Sequence, residues 1–145
     1  MLRSRLCRLA LAFVVGLSVF AVFAPGAAQA AGGKRILVNL AQQTLYAYSG
    51  NTLVASMAVH ARGTARGNFR VQNRILVTNS IIRGWMLPYW MGIYYVRGVQ
   101  NGIHGPEMIG RFTATNSLGC VVITSNTNAA WLYNWAPVGT PVAVR

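Results

Sequence analysis

Between residues 35 and 59 apolar and polar positions alternate in short runs separated by tight-turn signals. Ile36, Val38 and Leu40 share one face of the run 35–40, 44–48 follows after Ala41-Gln42-Gln43, and Ser49-Gly50-Asn51 leads into 52–59. Successive side chains on a strand point to opposite faces, and links this short join antiparallel neighbours. The spacing therefore predicts three successive strands, an opening meander.

Beyond the meander the pattern stays short-ranged. Residues 60–68, with His60, Gly63 and Gly67, read as a loop, and 69–77 return to strand composition. Residues 79–90 are aromatic and irregular, with Trp85, Pro88, Tyr89 and Trp90, and their composition fits core and loop packing ahead of a binding surface. Strands are expected at 91–96, 99–103, 120–123 and 140–144. Only 124–136 reads as helix, with Ser125 or Thr127 as N-cap and Leu132 and Trp135 three apart for one buried face, ended by Pro137 and Gly139. The expected fold is mainly β, a sandwich or barrel with one short helix.

The first thirty residues have a different character. Arg3, Arg5 and Arg8 precede an uncharged stretch, 9–23, that leads to Ala28-Gln29-Ala30, the pattern of a secretory signal cleaved after Ala30. The stretch is shorter than the roughly 20 apolar residues of a membrane-spanning helix. Residues 1–30 are thus expected to be a signal peptide and 31–145 one domain, exported to the periplasm, cell wall or extracellular space. An uncleaved signal would be its only tie to a membrane.

Charge narrows the partners. The chain has 13 Lys and Arg against one acidic residue, Glu107, a formal net charge of +12. Such a field favours an anionic partner. The arginines are spread singly, at 62, 66, 70, 74, 83, 97 and 111, with no nucleic-acid-binding motif, so an anionic envelope polymer or acidic membrane face suits an exported protein better. One carboxylate excludes paired-carboxylate glycosidase chemistry and a carboxylate calcium cage. A zinc site would need His60, His104 and Cys120 to converge without any short ligand spacing, so no metal or other cofactor is expected. Glu107 could pair with Arg111 across a loop, an exposed pair of little energetic weight.

Cys120 is the one cysteine outside the N-terminal segment, and His104 is one of two histidines. An unpaired thiol in an exported protein points to chemistry or to an intermolecular bridge. A cysteine attacks as thiolate, and a histidine within reach can take its proton and later protonate a leaving amine. Gly119 lets the backbone approach a substrate closely, where main-chain N–H groups can stabilise an oxyanion. By spacing alone, Cys120 fits equally a buried apolar thiol and His104 a structural histidine.

Ile103-His104-Gly105 and Ser117-Leu118-Gly119-Cys120, in that order, resemble the His-Gly and Ser-x-Gly-Cys signature of the L,D-transpeptidase catalytic domain, the YkuD family. The similarity runs over residues 35–145: "ILVNLAQQTLYAYSGNTLV" is similar to the family's opening hairpins, "GTARGNFRV" to its Gly-x-Phe strand entry, and "AAWLYNWAPVGTPVAV" to its closing helix and strand. The resemblance implies that Cys120 is the nucleophile and His104 its base. It implies that the Gly105 carbonyl orients the imidazole, the Gly119 and Cys120 amides form the oxyanion hole, and Ser117 supports the turn. It also implies a peptidoglycan stem tetrapeptide as substrate, attacked at an L-centred diamino acid with release of D-Ala, the acyl group then passing to an amine or to water. Arg62, Arg66 and Trp85 are the candidate substrate contacts, and a monomer is expected. The chain departs from the family pattern at Leu118, where many members carry His or Arg, at Val122, usually Arg or Asn, and at Thr64-Ala65, commonly Thr-Pro. A wall-binding module without catalysis, and a basic nucleic-acid-binding protein, are the alternative readings.

Overall fold

In the computed structural model, which describes residues 33–82, 84–109, 112–114 and 118–145, the alternating segment forms an antiparallel meander. Its strands are β1 (Lys34–Asn39), β2 (Thr44–Ser49) and β3 (Thr52–His60). Then come β4 (Gly67–Arg70), β5 (Asn73–Asn79), β6 (Met86–Val96), β7 (Val99–His104), β8 (Glu107–Ile109), β9 (Phe112–Ala114), β10 (Val121–Ile123), α1 (Asn126–Trp135) and β11 (Pro141–Val144). The strands are hydrogen-bonded in the order β4-β11-β1-β2-β3-β10-β7-β6-β8-β9, with β5 on β6.

The long strand β3 joins the two halves of this sheet, pairing with β2 along most of its length and with β10 at Val59 and His60. A single core fills the space between the halves. Ile36, Val38, Leu45 and Val142 enter it from one half, Met91, Ile93, Ile103 and Val121 from the other, and Ala129 and Leu132 from α1. All are at most 1% exposed, so the inward residues of each strand define one continuous apolar layer. The mainly β, sandwich-like architecture, with one helix among the described residues, agrees with the sequence pattern.

Several boundaries differ from the sequence expectation, each for a local reason. His60 is not in a loop; it ends β3 and pairs with Val122. The segment 69–77 is two strands, because the chain changes partner at Val71 and Gln72: Val71 N donates to Thr140 O and Gln72 N to Gly92 O. The aromatic segment is ordered strand from Met86 onward. Pro88 lacks an N–H, but its carbonyl still accepts from Gly105 N at 2.8 Å, so the strand passes through it. Strands β8 and β9, a hairpin between the histidine and the cysteine, were not legible from composition. In α1 the N-cap is Ser125, whose side chain accepts from Asn128 N. Trp135 is only partly buried, stacking on Trp131 at 5.5 Å, and Ala129 takes the inward position beside Leu132.

The pairing of β6 with β7 needs a glycine at its centre. A Cβ on Gly102 would stand 2.5 Å from the Met91 carbonyl oxygen and 3.0 Å from the Trp90 ring. Gly102→Ala should therefore lower stability by about 1–3 kcal/mol, read as a reduced urea midpoint with unchanged slope.

Candidate functional site

Strands β7 and β10 run parallel, with Val121 opposite Ile103 and Val122 opposite His104. Ile103, Val121 and Ile123 point into the core. Alternation therefore turns His104 and Val122 to the other face, and Cys120, two positions before Val122, returns to that face. His104 and Cys120 line one cavity of about 200 Å³. Ile75, Ile81, Ile82, Leu87 and Trp90, on and between β5 and β6, are part of its lining, and Asn101, Glu107 and Leu118 also line it.

The imidazole is fully buried. Its Nδ1 lies 2.6 Å from the Gly105 carbonyl oxygen. A carbonyl can only accept, so Nδ1 carries the proton and Nε2 presents its lone pair. Nε2 has no hydrogen-bond partner among the described residues. The Trp90 ring stacks on the imidazole with centroids 5.8 Å apart and planes at 21°. Burial pushes the His104 pKa down to about 4, against the opposing pull of the Gly105 carbonyl, so the ring is neutral near pH 7.

Burial pushes the Cys120 thiol the other way, up to about 11; the Gly102 backbone hydrogen bond works against this and the Glu107 carboxylate adds to it. The resting pair is thus neutral thiol and neutral imidazole. The Cys120 Sγ lies 3.8 Å from Asn101 Oδ1. The turn that carries the sulfur is clamped from the segment after β3 and from β6: Thr64 Oγ1 donates to Cys120 O at 3.0 Å, Tyr94 Oη donates to Gly119 O, and Ala65 N donates to Tyr94 Oη at 3.1 Å. Gly119 takes φ +119°, and a Cβ there would meet Asn101 Oδ1 at 2.6 Å, so only glycine fits beside Cys120.

The structure brings His104, Gly105, Gly119 and Cys120 together. Arg62 and Arg66 are exposed and, like half-buried Trp85, line no part of the cavity. Ser117 and Arg111 lie outside the described residues. Glu107 is buried rather than exposed, at 7%, and stands in the cavity wall, while the Arg111 expected to pair with it lies outside the described residues. Val122 is fully buried between His60 and His104, which accounts for an apolar residue at that position. Tyr94 and Asn101 were not singled out by sequence, and Thr64 and Trp90 were noted there without a part in the site. Only Asn101 had a usable signal, its place on the strand that ends in His104. Among the described residues no three His, Cys, Asp or Glu side chains gather to hold a metal ion, and no helix is long and apolar enough to cross a membrane.

The buried imidazole has a consequence for stability. Unfolded, it takes up a proton near 6.5; folded, it resists until about 4. The unfolded state then binds more protons in this window, so stability present above pH 6.5 is lost as pH falls toward 4. The loss should be about 3 kcal/mol by urea titration, and His104→Gln should remove that part of the pH dependence.

The family model of the L,D-transpeptidase catalytic domain matches residues 33–144. No curated protein matches the sequence. Solved structures share the fold. The L,D-transpeptidase from Stackebrandtia nassauensis superposes with a TM-score of 0.65 at 23% identity, over 77% of this chain and 55% of that one. The L,D-transpeptidase from Mycobacterium smegmatis gives 0.61 at 20%, over 78% and 59%. L,D-transpeptidase 1 of Mycobacterium tuberculosis gives 0.61 at 19%, over 77% and 60%. The chain thus spans between half and three-fifths of the length of these structures.

Proposed function

Since this chain belongs to the L,D-transpeptidase catalytic-domain family, we propose that it is an exported cysteine acyltransferase acting on peptidoglycan stem tetrapeptides through an acyl-enzyme on Cys120. The observation that carries this reading is one cavity lined by a thiol and by an imidazole whose Nδ1 is engaged by Gly105, leaving Nε2 to accept a proton.

The reaction follows from the neutral resting pair. As the Cys120 sulfur attacks the carbonyl of the L-centred diamino acid, its proton passes to His104 Nε2, because a free thiolate is disfavoured in this setting. The Gly119 and Cys120 amides would hold the developing oxyanion. Collapse expels D-Ala, which leaves with the proton from His104, and the thioester remains. An acceptor amine then attacks the thioester, gives its proton to His104, and displaces the sulfur, which is reprotonated. Water in place of the amine gives L,D-carboxypeptidase turnover. Positive charge, 10 Lys and Arg against Glu107 in residues 31–145, would raise the local concentration of an anionic wall polymer. Export rests on the basic, apolar, Ala-x-Ala pattern of residues 1–30.

The rival reading is a wall-binding module without catalysis, favoured by apolar Val122 on the site face. Intact-protein mass separates the two. Incubation with a tetrapeptide donor or imipenem should add the acyl mass to the wild-type chain and nothing to Cys120→Ala; an unmodified wild type under both reagents contradicts the enzyme. The imidazole must be neutral to act as base. kcat/KM should therefore be flat from about pH 5 to pH 9 and fall as pH drops through about 4, where the ring charges. A fall already near pH 7 would contradict a buried neutral base.

A further inference from the structure

Trp90 lies against the face of the His104 imidazole, with ring centroids 5.8 Å apart and planes at 21°. The indole is 5% exposed, and its Nε1 donates to Asn73 Oδ1, on the adjacent strand β5, at 3.1 Å. An indole N–H can only donate, so this contact sets which way the ring is turned. Asn73 is itself held: its Oδ1 also accepts from Gly92 N at 3.2 Å, its Nδ2 donates to Gln100 Oε1 at 2.8 Å, and Gln100 Nε2 donates to Gln72 Oε1 at 3.0 Å. Strand β7 crowds the ring as well, since a Cβ on Gly102 would stand 3.0 Å from it. Filling space beside His104 would need only a phenyl ring; a tethered indole does more than that.

A base that takes the thiol proton becomes an imidazolium, and burial is the largest influence against that ion, holding the His104 pKa at about 4. The Gly105 carbonyl, accepting from Nδ1, opposes the penalty. So does an aromatic face: within about 6 Å it attracts a cation through its quadrupole, and indole does so most strongly. The neutral ring gains little from that attraction. The stack therefore favours the protonated state selectively, and selective favour is what lowers a barrier. Cys120, from the turn before β10, and Glu107, from β8, are the titratable side chains that line the cavity with His104 among the described residues. The effect of the indole is accordingly read with both positions held constant.

We propose that Trp90 is a positioning residue of the acyl-transfer site: its indole face stabilises the imidazolium that His104 becomes when it takes the Cys120 proton, and Asn73 locks that face against the ring. The role in the reaction rests on the acyltransfer reading; the attraction between the rings is measured separately, in a protein that cannot react.

Fluorinated tryptophans placed at position 90 alone test this, because fluorine withdraws π density while keeping the ring and its N–H. In the Cys120→Ala protein, the His104 pKa, read from its imidazole NMR signals, should fall by about one unit from tryptophan to the tetrafluoro analogue. With Cys120 present, acylation by imipenem, followed by intact mass, should slow about fivefold across the same series. Asn73→Ala should slow it about threefold, and should add nothing in a Trp90→Phe chain, which has no indole N–H to hold. A His104 pKa that stays or rises through the series overturns the proposal, as does an acylation rate that ignores fluorination. An Asn73→Ala effect undiminished beside Trp90→Phe overturns the lock. Absence of acylation in every form, the unsubstituted chain included, overturns the acyltransferase reading and the proposal with it, whereas a failed titration overturns the part of the indole alone.

Discussion

The parallel pairing of β7 with β10 is the constraint on which the site depends. It sets Val122 opposite His104, and strand alternation then puts the sulfur, two residues earlier, on the face that carries the imidazole. A shift of one residue would send Cys120 or His104 into the apolar core. That core resists the shift, because Ile103, Val121 and Ile123 on the reverse face are at most 1% exposed and interlock with residues from both halves of the sheet and from α1. Packing on one side of the strand pair thus holds chemistry in register on the other.

The same burial that fixes the groups also determines their charge states. An imidazole with no solvent exposure and a thiol held against backbone and a carboxylate both favour their neutral forms. At rest His104 and Cys120 form no ion pair; in the proposed reaction the proton would move when the sulfur attacks. An imidazole proposed as a neutral base needs orientation more than charge, and the Gly105 carbonyl oxygen, 2.6 Å from Nδ1, supplies it. Under the proposed function, this is how a chain with a single acidic residue would arrange a nucleophile, a base and an orienting acceptor without an aspartate.

Much of this was legible in the sequence where local pattern and tertiary demand coincide. The meander from Lys34 to His60 announces itself by alternation, α1 by its Ser125 cap and its Pro137 and Gly139 terminators, and the placement of His104 and Cys120 at one cavity by the family-like His-Gly and Gly-Cys elements. What stayed hidden depends on non-local partners. The strand through Pro88 exists because Gly105 donates to its carbonyl, and the break at Val71 because the chain changes sheet partner. The clamp on the cysteine turn joins Thr64 and Tyr94 to residues 56 and 25 positions away, beyond any local signal. Glu107 looked like an exposed loop charge because the β8–β9 hairpin that folds it into the cavity is only three residues per strand. The candidate contacts Arg62 and Arg66 were chosen for their charge, and the fold leaves them on the surface.

The most direct test of this account is the pH dependence of Cys120 alkylation by iodoacetamide in the folded protein. A neutral pair predicts a rate that is low near pH 7 and climbs tenfold per pH unit toward the thiol value of about 11. A rate already at its plateau near neutral pH would mean a resting thiolate–imidazolium pair, and would contradict the buried, neutral site described above.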